Sequence, residues 1–171
     1  AITLRLVDTP FIKRQMEDQE RRYPRTRETA DHSFYYLTAA GLLDGQITVE
    51  GFKRQRWLDA DVKALMERIT IIPDARLNGY SGTFPCVLEF TTNSGTRQTV
   101  EMIYAPGSLK NRMTQLQVES KLRQNAAATL STGKQDAVIR WVANCGPTSS
   151  ATTLMEPNTC GLELAFSRCG R

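Results

Sequence analysis

A two-layer α+β domain, with a mainly antiparallel sheet covered by helices, is the fold class that this 171-residue sequence predicts. Three observations predict it. Short runs alternate apolar and polar residues with a period of two, two of them joined as a hairpin across Asn93, Ser94 and Gly95. Separate runs carry apolar residues at i, i+3 and i+4, the helical period. Strands and helices do not alternate as βαβ repeats, which argues against a parallel sheet. The strands are expected near 2–8, 69–73, 86–92 and 96–104, and the helices near 30–44, 49–57, 60–68, 113–130 and 133–143.

The first strand follows from ITLRLVD, where Ile2, Leu4 and Leu6 alternate with Thr3, Arg5 and Val7. Pro10 stops it, and FIKRQMEDQ reads as a short polar helix or turn. After a basic loop, Ala30, Phe34, Leu37 and Gly41 recur at helical spacing, as do Tyr36, Ala39, Ala40 and Leu43. A helix with so little polar surface must be covered on most sides and is expected to be central. Thr29 or Asp31 can cap its N-terminus, and Gly45 can close its C-terminus in the left-handed conformation.

Thr48 is placed to start the next helix, and Asp59 to cap the one in which Val62, Leu65, Met66 and Ile69 share a face. Residues 70–72 continue as a strand that Pro73 stops. In the hairpin, CVLEFTT pairs with TRQTVEMIY, and Val100, Met102 and Tyr104 are expected on the buried face of its second strand. The polar opposite face implies a sheet covered on one side. Pro106 and Gly107 break the sheet. Val118, Leu122, Ala126 and Leu130 then mark one helix, and Thr132 with Gln135 fits a capping box for the last. Residues 1–145 are expected to form the domain and 146–171, which show no period, an irregular tail.

Composition narrows the function. No apolar run approaches the roughly 20 residues of a membrane span. Arg5 and Asp8 interrupt the first apolar stretch, so it does not read as a secretory signal, and the expected compartment is the cytoplasm. The net charge of +4 is mild. Its densest part, Arg21, Arg22, Arg25 and Arg27, lacks the interleaved aromatics of a nucleic-acid surface, so neither nucleic acid nor membrane is an expected partner. Such a run is either a solvated loop or a set of guanidinium forks for the carboxylates of a small anionic substrate.

The four cysteines, Cys86, Cys145, Cys160 and Cys169, form no CxxC pair, and with one histidine they cannot complete ordinary zinc spacing. No metal is expected, and the cysteines read as reduced thiols. GxGxxG, GxxxxGK[ST] and GxSxG are absent, which removes the usual nucleotide-binding and serine-hydrolase patterns. What remains is His32, the only histidine. Imidazole is the side chain whose ordinary pKa lies near neutrality, so His32 is the first candidate for acid–base chemistry; the alternative is a histidine that only caps or packs its helix.

The order ADHSFYYLTAAGLLDG, ITVEGF, DADVKALMERITI, VLEFTTNSGTRQTVE and PGSLKNRM resembles the C-terminal domain of the MmgE/PrpD family, whose members include 2-methylcitrate dehydratases, cis-aconitate decarboxylases and iminodisuccinate epimerases. The resemblance runs from residue 2 to about residue 142. It implies a smaller α+β domain whose active site lies in a cleft against a large helical N-terminal domain, and chemistry without metal, flavin or nicotinamide. The reaction implied is proton removal beside a carboxylate of a small polycarboxylate.

Under that resemblance His32 matches the ADHS or RDHC position and is assigned as proton donor or acceptor, with Asp31 to orient it. Tyr36 is a further catalytic candidate, although helical spacing puts at least one of Tyr35 and Tyr36 in the core. Arg27, Lys110 and Arg112 are candidates for binding substrate carboxylates. The sequence departs from the family in the last loop, where Arg112 follows Asn111 in place of proline. The expected partner is the family's helical domain or a further copy of the chain. Two functions stay open: part of a cofactor-free lyase or isomerase, or a catalytically inert binding or structural domain.

Overall fold

In the computed structural model, which describes residues 1–145, the chain is an α+β fold built on one four-stranded sheet. The strands are β1 (Ile2–Val7), β2 (Ile69–Asp74), β3 (Cys86–Thr91) and β4 (Arg97–Met102), in the order β2-β1-β3-β4. The described helices are α1 (Pro10–Glu17), α2 (Gln19–Arg22), α3 (Arg27–Asp31), α4 (Phe34–Asp44), α5 (Val49–Lys53), α6 (Ala60–Met66), α7 (Gln115–Ala126) and α8 (Thr132–Ala143), with 3-10 turns at Arg56–Leu58 and Ala75–Gly79. The chain divides into two compact units, the first Ala1–Arg112 and the second beginning at Met113. The tail expected over 146–171 lies outside the described residues.

The sheet is mixed. β1 pairs antiparallel with β3, and β3 with β4, but β1 and β2 run parallel in the register Ile2 to Ile69. Parallel strands need a crossover, and the helices from α1 to α6 supply it. The crossover is long and broken, so it left no βαβ signature in the sequence. Pro73, expected to stop β2, instead pairs with Leu6 inside it. β2 is an edge strand, where a missing amide costs little.

Register and the period of two put Ile2, Leu4, Leu6, Ile69, Ile71, Cys86, Leu88, Phe90, Val100 and Met102 on one face. The β1 and β2 members join Ile12, Ala30, Tyr36, Ala39, Trp57, Val62 and Met66 in the core. Coverage then fades across the sheet. Cys86, Leu88 and Phe90 are half-buried, and Val100 and Met102 on β4 are 51% and 36% exposed. The expectation that Val100 and Met102 are buried is therefore corrected: alternation shows that residues share a face, but β4 lies beyond the helices that cover it. Tyr104, expected with them, lies past the end of β4 and stacks edge-on against Tyr80.

Several helix boundaries also differ from expectation. Pro10 begins α1, with the Thr9 hydroxyl accepting from the Ile12 amide, and that helix buries Ile12 completely. The single helix expected over 30–44 is two, α3 and α4, split at His32 and Ser33. Thr26, with Thr29 as its capping-box partner, caps α3, and Ser33 rather than Thr29 or Asp31 caps α4. Gly45 closes α4 as expected, at φ 72°. Thr48 caps α5 as expected, but the helix ends at Lys53 because Gln55 is left-handed at φ 57°. Asp59 occupies the N-cap position of α6 without capping it; its carboxylate is held by Arg56 instead.

In the second unit Thr114 and Gln117 form a capping box that opens α7. The capping box expected from Thr132 and Gln135 is absent. Ser131 is the residue before α8, and the Gln135 amide donates to the Leu130 carbonyl at 2.8 Å. An ion pair at 2.7 Å between Arg123 and Asp136 links the two helices.

Candidate functional site

The site forms where α3 ends and α4 begins. Ser33 is fully buried; its hydroxyl donates to the Arg21 carbonyl and accepts from the Tyr36 amide at 3.1 Å. One side chain thus ends the turn, starts α4 and ties both to α2. His32 is left as the C-terminal cap of α3, with its side chain 60% exposed. It does not open a helix, as the uninterrupted apolar pattern had suggested.

Two acceptors hold the imidazole. Nδ1 lies 3.0 Å from the Glu28 carbonyl oxygen and 2.5 Å from Asp31 Oδ1. Because both partners accept, Nδ1 carries the proton, which leaves Nε2 as the basic nitrogen of the neutral ring. The Glu28 carbonyl, then the Asp31 carboxylate, raise the pKa of His32 above its ordinary 6.5, against a smaller opposing effect of the Arg21 charge. The arrangement can take up a proton at Nε2 and stabilise the resulting imidazolium from behind.

Tyr36, one residue along the same helix from Tyr35, is 1% exposed and packs edge-on against Phe52 and Trp57, at 5.6 and 6.1 Å between centroids. Burial raises its phenol pKa. Tyr35 is buried too, beneath the Arg22 guanidinium at 4.1 Å. The fold therefore separates the Tyr36 side chain from the exposed imidazole. Arg27 lies over the Phe52 ring at 6.0 Å. Lys110 donates to the Tyr104 hydroxyl at 3.0 Å in the loop after β4, where Arg112 is exposed. Among the described residues, no hydrogen bond, ion pair or ring contact joins Arg27, Lys110 or Arg112 to His32.

The basic cluster has mixed duties. Arg22 is structural: it donates to the Ile69 carbonyl at 3.1 Å and pairs with Glu67 at 3.4 Å. Arg21 pairs with Asp18 at 3.0 Å through Nε, while its Nη1 is buried without a hydrogen-bond partner. Arg21 and the Glu28 carbonyl both act on His32, and sequence spacing did not single out either. The i to i+4 offset between Glu28 and His32 is the signal that could have found the carbonyl.

Hollows of the first unit have other linings, two of them near or opposite the core. One, about 280 Å³, lies on the open face of the sheet among Arg5, Asp74, Arg76, Tyr80, Glu89 and Glu101. The other, about 240 Å³ and mostly apolar, lies beside Tyr23, Pro24, Trp57 and Met66. His32 lines neither. No group of three or more His, Cys, Asp or Glu side chains suited to a metal ion occurs among the described residues. Cys86 is a half-buried thiol whose pKa is raised by burial. No described helix is long and apolar enough to cross a membrane.

Residues 7–145 match the family described as the MmgE/PrpD C-terminal domain. The chain belongs to the MmgE/PrpD family. Among curated relatives it is similar to a cis-aconitate decarboxylase of Mus musculus, 28% identical over 138 residues that make up 81% of this chain and 27% of the relative. It is similar also to a cis-aconitate decarboxylase of Homo sapiens, 28% identical over 146 residues, 81% of this chain and 30% of the relative. The chain thus spans under a third of either relative. In this MmgE/PrpD domain His32 lies within the matched span, with its side chain 60% exposed.

Proposed function

We infer that this chain is the C-terminal part of a cofactor-free, cytoplasmic lyase or isomerase that moves a proton next to a carboxylate of a small polycarboxylate. The observation that carries the reading is the exposed His32 ring, held at Nδ1 by Glu28 and Asp31. A base so placed needs a carbon acid brought within hydrogen-bond reach and donors to take up the developing negative charge. Among the described residues, His32 has no enclosing wall and no carboxylate clamp. The remaining walls come from a helical domain of the family kind, beyond these 171 residues. Arg21, whose charge acts on His32, is the best candidate here for a substrate carboxylate. Dehydration, decarboxylation and epimerisation all begin with the same proton transfer, and the decarboxylase relatives favour cis-aconitate as the first substrate to try.

The test is reconstitution. The chain is incubated with cis-aconitate or 2-methylcitrate, alone and with a helical domain from a relative, and the double bond is followed by ultraviolet absorbance. Turnover only in the mixture, reduced about 10²- to 10⁴-fold by His32→Ala, is the expected outcome. A mixture that associates yet turns over neither substrate would favour an inert binding domain.

A further inference from the structure

Asn78 and Gly79 form the one Asn-Gly pair in the sequence. Where a carboxamide precedes a glycine, no Cβ shields the next main-chain nitrogen, and that nitrogen can attack the side chain. The pair lies in the 3-10 turn Ala75–Gly79, directly after β2, and both residues are exposed. The Asn78 side chain is nevertheless held. Its Oδ1 accepts from the Asp8 amide at 2.9 Å, and its Nδ2 donates to the Asp8 carbonyl at 2.9 Å. One carboxamide thus satisfies both main-chain groups of a residue 70 positions away. It clips the end of β1 to the turn that follows β2.

The same two bonds govern whether the carboxamide can react. Ring closure needs the Asn78 side chain to turn onto the Gly79 nitrogen, whereas the clip anchors both ends of its amide on Asp8. Both hydrogen bonds must open first. The chain has one Asp-Gly pair as well, Asp44 before Gly45, and Asp44 is also held by two bonds, from Arg56 Nε at 3.1 Å and Nη2 at 2.9 Å. Those bonds lower the pKa of Asp44 and keep it a carboxylate, which is a poor target for a main-chain nitrogen. Asn78 is neutral and has only the clip.

We propose that Asn78–Gly79 is a deamidation site latched by Asp8, and that its modification releases the corner between β1 and α1. The site does not depend on the catalytic reading of His32. In the reaction the Gly79 nitrogen gives its proton to solvent base and bonds to Asn78 Cγ. The Cγ–Nδ2 bond breaks, and the nitrogen leaves as ammonia. Water then opens the cyclic imide at either carbonyl, leaving aspartate or isoaspartate. Neither product keeps the Nδ2 donor, so the Asp8 carbonyl loses its partner.

The full chain is aged at mildly alkaline pH, native and unfolded in guanidinium chloride, and its peptides are mapped by mass spectrometry. Exchange of an amide for an acid should appear on the peptide carrying Asn78, about tenfold more slowly in the native chain because two hydrogen bonds must open. Gly79→Ala should keep the fold, since a Cβ there meets nothing within 4 Å and the backbone is not left-handed, and should slow the unfolded-state reaction several-fold. The aged chain and Asn78→Asp should both be cut by trypsin after Lys13 or Arg14, on α1, several-fold faster than the fresh chain, with far-ultraviolet circular dichroism little changed. Equal rates in the native and unfolded chains overturn the latch. Reaction confined to another asparagine, or indifferent to Gly79→Ala, overturns the site. An Asn78→Asp chain as resistant to trypsin as the fresh one overturns the release.

Discussion

The Nδ1 of His32 lies 2.5 Å from the carboxylate of Asp31, its neighbour in sequence, across the end of a helix. Adjacent residues on a continuing helix point about 100° apart and do not face each other. The pair meets because α3 stops here. The junction made by Ser33 therefore brings His32 and Asp31 together, and its consequences can be measured.

His32 is the only histidine, so its ring protons give a single titrating pair of resonances. The expected pKa lies above 6.5, and Asp31→Asn should lower it toward that value, with the Glu28 carbonyl keeping part of the elevation. The sign for stability follows from a raised folded-state pKa. The contribution is complete below 6.5 and lost as pH rises through the folded value. On the proposed function the sign for catalysis would be opposite: a base at Nε2 would gain activity as pH rises through the same value. A titration at or below 6.5 in the unmodified chain would remove the assigned tautomer and its partners.

Ser33→Ala deletes the hydroxyl that caps α4 and holds the Arg21 carbonyl. A cap costs about 1–2 kcal/mol when removed, and the partly buried Arg21 carbonyl loses its partner as well, so the upper end is expected in urea unfolding. The same variant should broaden or shift the His32 resonances, since the junction sets the ring's position. Unchanged stability would mean that the turn is held elsewhere.

Arg56 is buried and donates to three carboxylates, with contacts of 2.9 Å to Asp44, 2.9 Å to Asp59 and 2.6 Å to Asp61. Arg56→Leu keeps much of the buried stem and removes the fork. The carboxylates are partly exposed and can rehydrate, so a loss of about 2 kcal/mol is expected rather than the larger figure for a fully buried pair. Arg56 depresses Asp61 to about 2, and Arg76 does the same to Asp74. For depressed carboxylates, the stability is present above the ordinary 3.8 and lost as pH falls toward about 2. Acid unfolding should therefore begin at higher pH in Arg56→Leu, and an identical acid midpoint would sink the assignment.

Gly45 ends α4 at φ 72°, and a Cβ there would meet nothing within 4 Å. The cost of Gly45→Ala is then backbone strain alone, about 1 kcal/mol. A thermal midpoint unchanged or raised would show that another conformation serves as well.

The positions of strands and helices were legible in the sequence because the periods of two and 3.6 are local properties. β1, β3, β4 and α8 lie within a few residues of expectation, and Gly45 and Thr48 cap where their chemistry indicates. The site was legible only in part. His32 stood out by being alone, but its partner Glu28 contributes a backbone carbonyl, which every residue possesses and no motif marks.

Residue type and spacing determined which side chains share a face, where elements begin, and that one imidazole was available for proton transfer. Tertiary structure decided which faces are covered. It buried Tyr36 while leaving His32 in the open, sent Asp59 to Arg56 instead of to its own helix, and left Val100 exposed on an edge strand although its pattern matches that of buried Leu4. The physical reason is that burial and pairing depend on what packs against a surface from distant parts of the chain, and a local repeat carries no record of that partner.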